Sequence, residues 1–170
     1  MKKAVFIIAK SSFRDEEYFE PKAILETSGI AVTTAASTTG PCKGKLASNA
    51  KADIAISEIK ISDFDAIVVI GGPGSYDYFH NKELHKAVLE MFASGKIVAG
   101  ICAGAAVLAY SGVLKNKKAT SFSGVSKDLL SCGAVYTGKP VESDGTIITA
   151  DGPMSAALFG NMLTKALNNG

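Results

Sequence analysis

A cysteine set between two glycines, Gly100-Ile101-Cys102-Ala103-Gly104, is the stretch of this chain best suited to covalent chemistry. The apolar run Ile97-Val98-Ala99 leads into it, and the small-residue run Ala105-Ala106-Val107-Leu108 follows. Strand, sharp turn, helix is the logic of a nucleophile elbow, here with cysteine in place of serine. The tight turn crowds its neighbours, and Gly100, Ala103 and Gly104 are small enough to fit. Such a turn lifts the side chain above the carboxyl edge of a sheet. It also sets the sulfur at a helix N-terminus, where free N–H groups and the dipole favour a thiolate. A lone cysteine is more often a buried structural thiol. The flanking glycines and the strand pattern before them favour the reactive reading. Cys42 and Cys132 have no such setting and read as structural or incidental thiols.

Two other loops can reach the same edge. Gly71-Gly72-Pro73-Gly74 follows the clearest buried strand, Ala66 to Ile70. Glycine lets the main chain approach a substrate closely, so the N–H groups of Gly72 and Ala103 could form an oxyanion hole. Read alone, the glycine pair could equally be a plain turn, and it is not a phosphate-binding loop, because no Gly-Lys-Ser/Thr follows. The loop after the first strand carries Glu16 and Glu17. A buried carboxylic acid beside the sulfur could stay protonated and donate a hydrogen bond to the thiolate. Either glutamate in isolation reads more simply as a solvated first-turn acid. The only histidines, His80 and His85, lie between the glycine loop and the next helix. A Cys–His dyad needs its base within hydrogen-bond reach. Neither histidine has an evident route to Cys102 within one subunit, and both read as surface residues.

The elements that must position these residues alternate. Ala4 to Ala9 is an apolar run, as in a strand covered on both faces. A helix follows from about Asp15 to Ser28, with Phe19, Ile24 and Leu25 toward the core; Pro21 requires it to start later or to bend. Ile30 to Ala36 is the second strand. Short edge strands are expected near Leu46 and over Ala52-Asp53-Ile54. After the strand at 66–70 comes a helix over 82–93, with Leu84, Val88, Leu89 and Phe92 on one face. The elbow strand and its helix to Tyr110 follow. Ala119 to Phe122 is a strand, Val125 to Leu130 a short helix, and Ala134-Val135-Tyr136, Val141-Glu142 and 146–150 are strands. Met154 to Leu167 is the last helix. Apolar strands alternating with helices imply a parallel α/β sandwich, with ligands at the carboxyl ends of the strands.

Composition sets the bounds. The 170 residues, 47% hydrophobic and 20% charged, suit one domain over 1–170 with a sizeable core. A net charge of +2 without a basic block gives no reason to expect a nucleic-acid partner. The longest nearly unbroken apolar run, Ile97 to Tyr110, is shorter than a membrane span. Lys10 interrupts the N-terminal apolar stretch too early for a signal-peptide core, so a cytoplasmic protein is the default. Three well-separated cysteines, with no CxxC and no Cys/His ligand set, predict neither a disulfide framework nor a metal site, and no organic cofactor is implied.

Taken together, Ala4 to Lys10, Phe64 to Gly72, Ile97 to Gly104 and Asp144 to Pro153 resemble, in order, the DJ-1/PfpI family over nearly the whole chain. The resemblance implies a flavodoxin-like three-layer α/β/α sandwich with a mostly parallel sheet. It implies that Cys102 pairs with a glutamate four residues before a proline, which from Pro21 gives Glu17, with Glu16 as the alternative. It also carries the oxyanion-hole role onto Gly72 and Ala103. Two departures stand out. Protease-like members have histidine directly after the cysteine, where this chain has Ala103; they orient it with an acid that Asp77 matches. DJ-1-like members have a histidine where this chain has Phe122 or Ser123. Glutamine amidotransferase chemistry needs a His-x-Glu that is missing. The implied activity is therefore cysteine-dependent chemistry on small reactive carbonyls or their protein adducts through a Cys–Glu pair. The alternative is an oxidisable-cysteine stress protein without turnover, and a peptidase comes last. The resemblance also implies a homodimer, and a chain without the additional C-terminal helix of DJ-1.

Overall fold

The computed structural model describes residues 1–170. In chain order its strands and helices are β1 (Lys3–Ile7), β2 (Ser11–Phe13), α1 (Asp15–Thr27), β3 (Ala31–Ala36), β4 (Gly40–Gly44), β5 (Asn49–Ala52), β6 (Ile54–Ala55), β7 (Ala66–Val69), α2 (Lys82–Ala93), β8 (Ile97–Ile101), α3 (Gly104–Ser111), β9 (Lys118–Ala119), α4 (Ser126–Ser131), β10 (Val135–Tyr136), β11 (Val141–Asp144), β12 (Ile147–Ala150) and α5 (Ala156–Asn169).

Seven strands form the central sheet in the order β11-β12-β8-β7-β1-β3-β6. All neighbours are parallel except β11, which runs antiparallel to β12 at the edge. The central strands β7 and β8 are buried along their whole length, as their unbroken apolar sequences require. Helices cover both faces of the sheet: α1 packs on α5, and α2 packs on α3, which in turn packs on α4. This is the flavodoxin-like sandwich, and its apolar residues form one buried cluster. Two small sheets are added: β2-β4-β5 beside the first helix, and β9-β10.

Some expected details differ. Phe19 and Leu89 are exposed. On α1 the inward stripe is Tyr18, Pro21 and Leu25, so Phe19 falls one position off it and rests its ring edge against Tyr18 at 4.8 Å. On α2 the stripe is Leu84, Ala87, Val88 and Met91; Leu89, five residues after Leu84, turns outward. α1 begins at Asp15 and runs through Pro21, which therefore sits inside the helix and leaves the Glu17 carbonyl without its helical donor. Leu46 lies in the turn between β4 and β5, not in a strand, and the expected strand at 119–122 is confined to Lys118–Ala119.

Parallel pairing aligns the carboxyl ends of β1, β7, β8 and β12. Ile7 lies beside Val69, Val69 beside Gly100, and Ile101 beside Ala150. The loops leaving these four strands meet at one place.

Candidate active site

Cys102 follows the last residue of β8 and has φ +58°, a left-handed conformation that L-residues avoid. It is clamped there from both sides. Its N–H donates to Ala150 O at 2.9 Å, continuing the β8–β12 ladder. Below the turn, a Cβ on Gly104 would lie 2.3 Å from the Val69 carbonyl oxygen, so only glycine lets α3 descend onto β7. Such a backbone costs about 1–3 kcal/mol and persists only where the surroundings over-determine it.

The acid beside it is Glu17. It is 0% exposed, and its Oε2 accepts the Gly71 N–H at 2.9 Å. Its Oε1 has no hydrogen-bond partner, and the Cys102 thiol is the side-chain group that interacts most with the carboxyl. Gly71 is the spacer between the two groups. A Cβ there would lie 2.6 Å from Glu17 Oε2, 2.7 Å from Cys102 Cβ and 2.8 Å from Ile101 O. The Gly71 carbonyl in turn accepts the Arg14 N–H at 3.0 Å, tying the head of α1 to this loop. Gly72 has φ +102° and presses against the backbone of Ser12 and Arg14. Glu16, one residue earlier, is half-buried and pairs with Arg14 through Nε at 2.8 Å. The carboxyl that meets the sulfur is therefore Glu17.

Burial sets the protonation of the pair. It pushes the Glu17 carboxyl up to about 8, against weaker opposing pulls from Cys102, the Gly71 amide and Arg14. It pushes the Cys102 thiol up to about 12, helped by the charge and hydrogen bonding of Glu17. Hydrogen bonds from the Ala103 and Gly72 amides pull the thiol back down. The two groups titrate as a pair. Burial thus favours the protonated carboxyl at neutral pH, a state that can donate to the sulfur instead of repelling a thiolate.

A cavity of about 570 Å³ opens above Cys102 and Glu17. Gly72, Pro73, Tyr76, Ala103, Phe122 and Pro153 line it. Phe122, one of the two positions that the resemblance matches to a histidine, lines the cavity with an aromatic ring instead. Neither histidine of the chain lines the cavity. His80 is exposed and packs at a tilt against Tyr110 with centroids 4.6 Å apart, while His85 is half-buried and bonds through Nε2 to Phe79 O at 2.8 Å. Asp77 is exposed and lines a different cleft, beside Lys10. Cys42 is buried and donates to Gly40 O at 3.6 Å, and Cys132 is half-buried at the end of α4. Two cavity residues, Arg14 and Lys45, have no part in the sequence reading. Arg14 is the chain's only arginine, which was a usable signal; Lys45 had none.

A mostly parallel α/β sandwich that holds a cysteine on a strained turn beside a buried acid defines a class, the cysteine-elbow α/β proteins. Within that class the assignment is specific: the DJ-1/PfpI family model matches residues 2–166, and the chain belongs to the DJ-1/PfpI family. An uncharacterized protein of Methanocaldococcus jannaschii is 39% identical over 168 residues, covering 97% of this chain and 82% of that one. Deglycase PfpI of Pyrococcus furiosus is 30% identical over 149 residues, covering 88% of this chain and 90% of that one. The crystal structure of a ThiJ/PfpI domain protein from Brachyspira murdochii superposes with a TM-score of 0.97 at 29% identity, covering 98% and 96% of the two chains.

Proposed function

We propose that this protein is a cysteine-dependent enzyme acting on small reactive carbonyls or their protein adducts. The observation that carries the reading is the fully buried Glu17 beside a cysteine whose sulfur faces the Gly72 and Ala103 amides. Cys102 Sγ adds to an aldehyde carbon, forming a C–S bond as the carbonyl π bond opens onto oxygen. The Gly72 and Ala103 amides stabilise that oxyanion. Glu17 gives its proton to the oxygen and takes the thiol proton, leaving a neutral hemithioacetal. For a 2-oxoaldehyde, a further proton shift between the two carbon centres and hydrolysis by water give the 2-hydroxy acid. The name of the Pyrococcus relative, a deglycase, supports carbonyl chemistry of this kind.

One observation favours a second reading: no imidazole lines the cavity. In that reading Cys102 is a reversible redox centre. Peroxide transfers an oxygen to the sulfur and leaves as water, and the sulfenic acid is held by the same donors. Methylglyoxal consumption with lactate formation separates the two. Turnover by wild type that Cys102→Ala loses supports the enzyme. Equal background loss with both proteins folded refutes it for this substrate and moves the assignment to the redox centre.

A further inference from the structure

The cavity above Cys102 carries positive charge that addition to a carbonyl does not require. Arg14 reaches it from the loop before α1 and Lys45 from the turn between β4 and β5. Arg14 spends Nε on Glu16 Oε2 at 2.8 Å and Nη2 on Glu16 Oε1 at 3.3 Å. This side-on pairing leaves Nη1 and the end of the guanidinium fork free for a second oxyanion. The Lys45 ammonium joins none of the molecule's ion pairs.

The backbone under Lys45 is fixed, although its side chain is free. Its N–H donates to Phe13 O at 2.8 Å. The next residue, Leu46, donates to Asp15 Oδ2 at 2.8 Å, and the Ser48 N–H donates to Asp15 Oδ1 at 3.2 Å. The Ser48 hydroxyl also donates to Asp15 Oδ1. A buried carboxylate thus holds a turn whose Lys45 side chain lines the cavity and joins no ion pair. Glu16 offsets the charge of Arg14 from outside the cavity, and among the lining residues the only acid is the buried Glu17, so no carboxylate pairs with Lys45.

We infer that Lys45 and the free edge of Arg14 form an anion subsite beside Cys102, so that the site takes carbonyl compounds carrying a carboxylate or a phosphate. The carbonyl half rests on the proposed function; the anion half rests on the cavity alone. At about 570 Å³ the cavity has room for such a molecule, within the usual range for small-ligand pockets.

Two alkylating agents of nearly equal shape test the anion half without turnover. Iodoacetate and iodoacetamide both react with Cys102 Sγ by forming a C–S bond as iodide leaves, the thiol proton passing to solvent. Their rate ratio on Cys102, divided by the same ratio on glutathione, cancels the thiolate population. Cys102→Ala supplies the background from Cys42 and Cys132. Wild type is expected to favour iodoacetate by at least about fivefold on this scale, the value of one ion pair at close range in water. Lys45→Gln should bring the ratio to within about twofold of glutathione, as should about 1 M salt. A wild-type ratio equal to that of glutathione and unchanged in Lys45→Gln overturns the subsite. Protection of Cys102 by inorganic phosphate but not acetate, at matched ionic strength, assigns the subsite to phosphates, and the reverse assigns it to carboxylates. If the iodoacetate preference holds while methylglyoxal is not consumed, the subsite stands and the proposed enzyme falls for this uncharged substrate. If methylglyoxal is consumed without any preference, the subsite falls and the enzyme stands.

Discussion

Replacing Glu17 with glutamine should remove most of the loss of stability that the wild-type protein suffers as the pH rises. Glutamine keeps the side-chain shape, can still accept the Gly71 N–H, and cannot ionise. In wild type the folded protein holds the Glu17 proton up to about 8, while the unfolded chain releases it near the ordinary 4.5. Between those values the native state binds the extra proton. Stability therefore falls as pH rises through this window, and the contribution is fully lost above the folded value. At about 1.4 kcal/mol per pH unit the gap corresponds to about 5 kcal/mol. That is a ceiling, since the pair shares its protons with Cys102, and it is still large beside a typical total of about 5–15 kcal/mol. Urea unfolding of both proteins under reducing conditions, followed by circular dichroism from about pH 5 to about pH 9, reads the difference. Titrating groups away from the Glu17–Cys102 pair are common to the two proteins and cancel. Glu17→Gln should gain at least about 3 kcal/mol on wild type across the window. Parallel curves would refute the reasoning, because they would mean that Glu17 is already ionised in the folded protein at neutral pH.

Three further substitutions probe the supports of the pair. Gly71→Ala places a methyl group 2.6 Å from Glu17 Oε2 and 2.7 Å from Cys102 Cβ, and should cost about 1–3 kcal/mol in chemical denaturation; unchanged stability would show that Gly71 is not a tight spacer. Asp15→Asn replaces a carboxylate that burial opposes but that Ser48 and Leu46 hold below its ordinary range. It should cost about 1–3 kcal/mol and speed hydrogen exchange at the Leu46 and Ser48 amides; unaltered exchange there would release Asp15 from its role under Lys45. Glu16→Gln breaks only a partly exposed pair with Arg14, should shift stability by no more than about 1 kcal/mol, and should leave the wild-type pH slope in place. A flattened slope in that variant would transfer the buried-acid role from Glu17 to Glu16.

Most of the fold was legible because the central strands are doubly covered, so Ala66–Val69 and Ile97–Ile101 read as unbroken apolar runs. The elbow was legible because its constraints are local: a left-handed cysteine and a helix descending onto a strand demand small neighbours within two residues. The rest depends on partners far away in sequence. β9 and β10 are two-residue strands that exist only by pairing with each other. Phe19 is as apolar as a core residue, but a shift of one position on α1 puts it outside. His85 reads as a surface residue and is half-buried, because its ring reaches the Phe79 carbonyl. Glu17 was separated from Glu16 by its distance from Pro21, an argument from resemblance; nothing in the two side chains distinguishes them. Lys45 was illegible in principle, since its place in the cavity follows from Asp15 holding a turn thirty or so residues away.

A cavity without an imidazole still has a complete proton inventory. At neutral pH the pair holds two protons and no net charge. If Cys102 adds to a carbonyl while Glu17 protonates the oxygen and collects the thiol proton, charge is balanced throughout and no separate base is needed. That route requires the protonated acid. A route through free thiolate requires the pair to have lost a proton, and with the first loss near 8 only about a tenth of molecules have done so at pH 7. The two routes therefore slope in opposite directions. Carbonyl turnover under substrate saturation should be level below about pH 7 and decline above about pH 8, while alkylation of Cys102 by neutral iodoacetamide should rise over the same range. Turnover that instead rises in step with alkylation would remove Glu17 as the proton donor and leave the thiolate as the only reacting form.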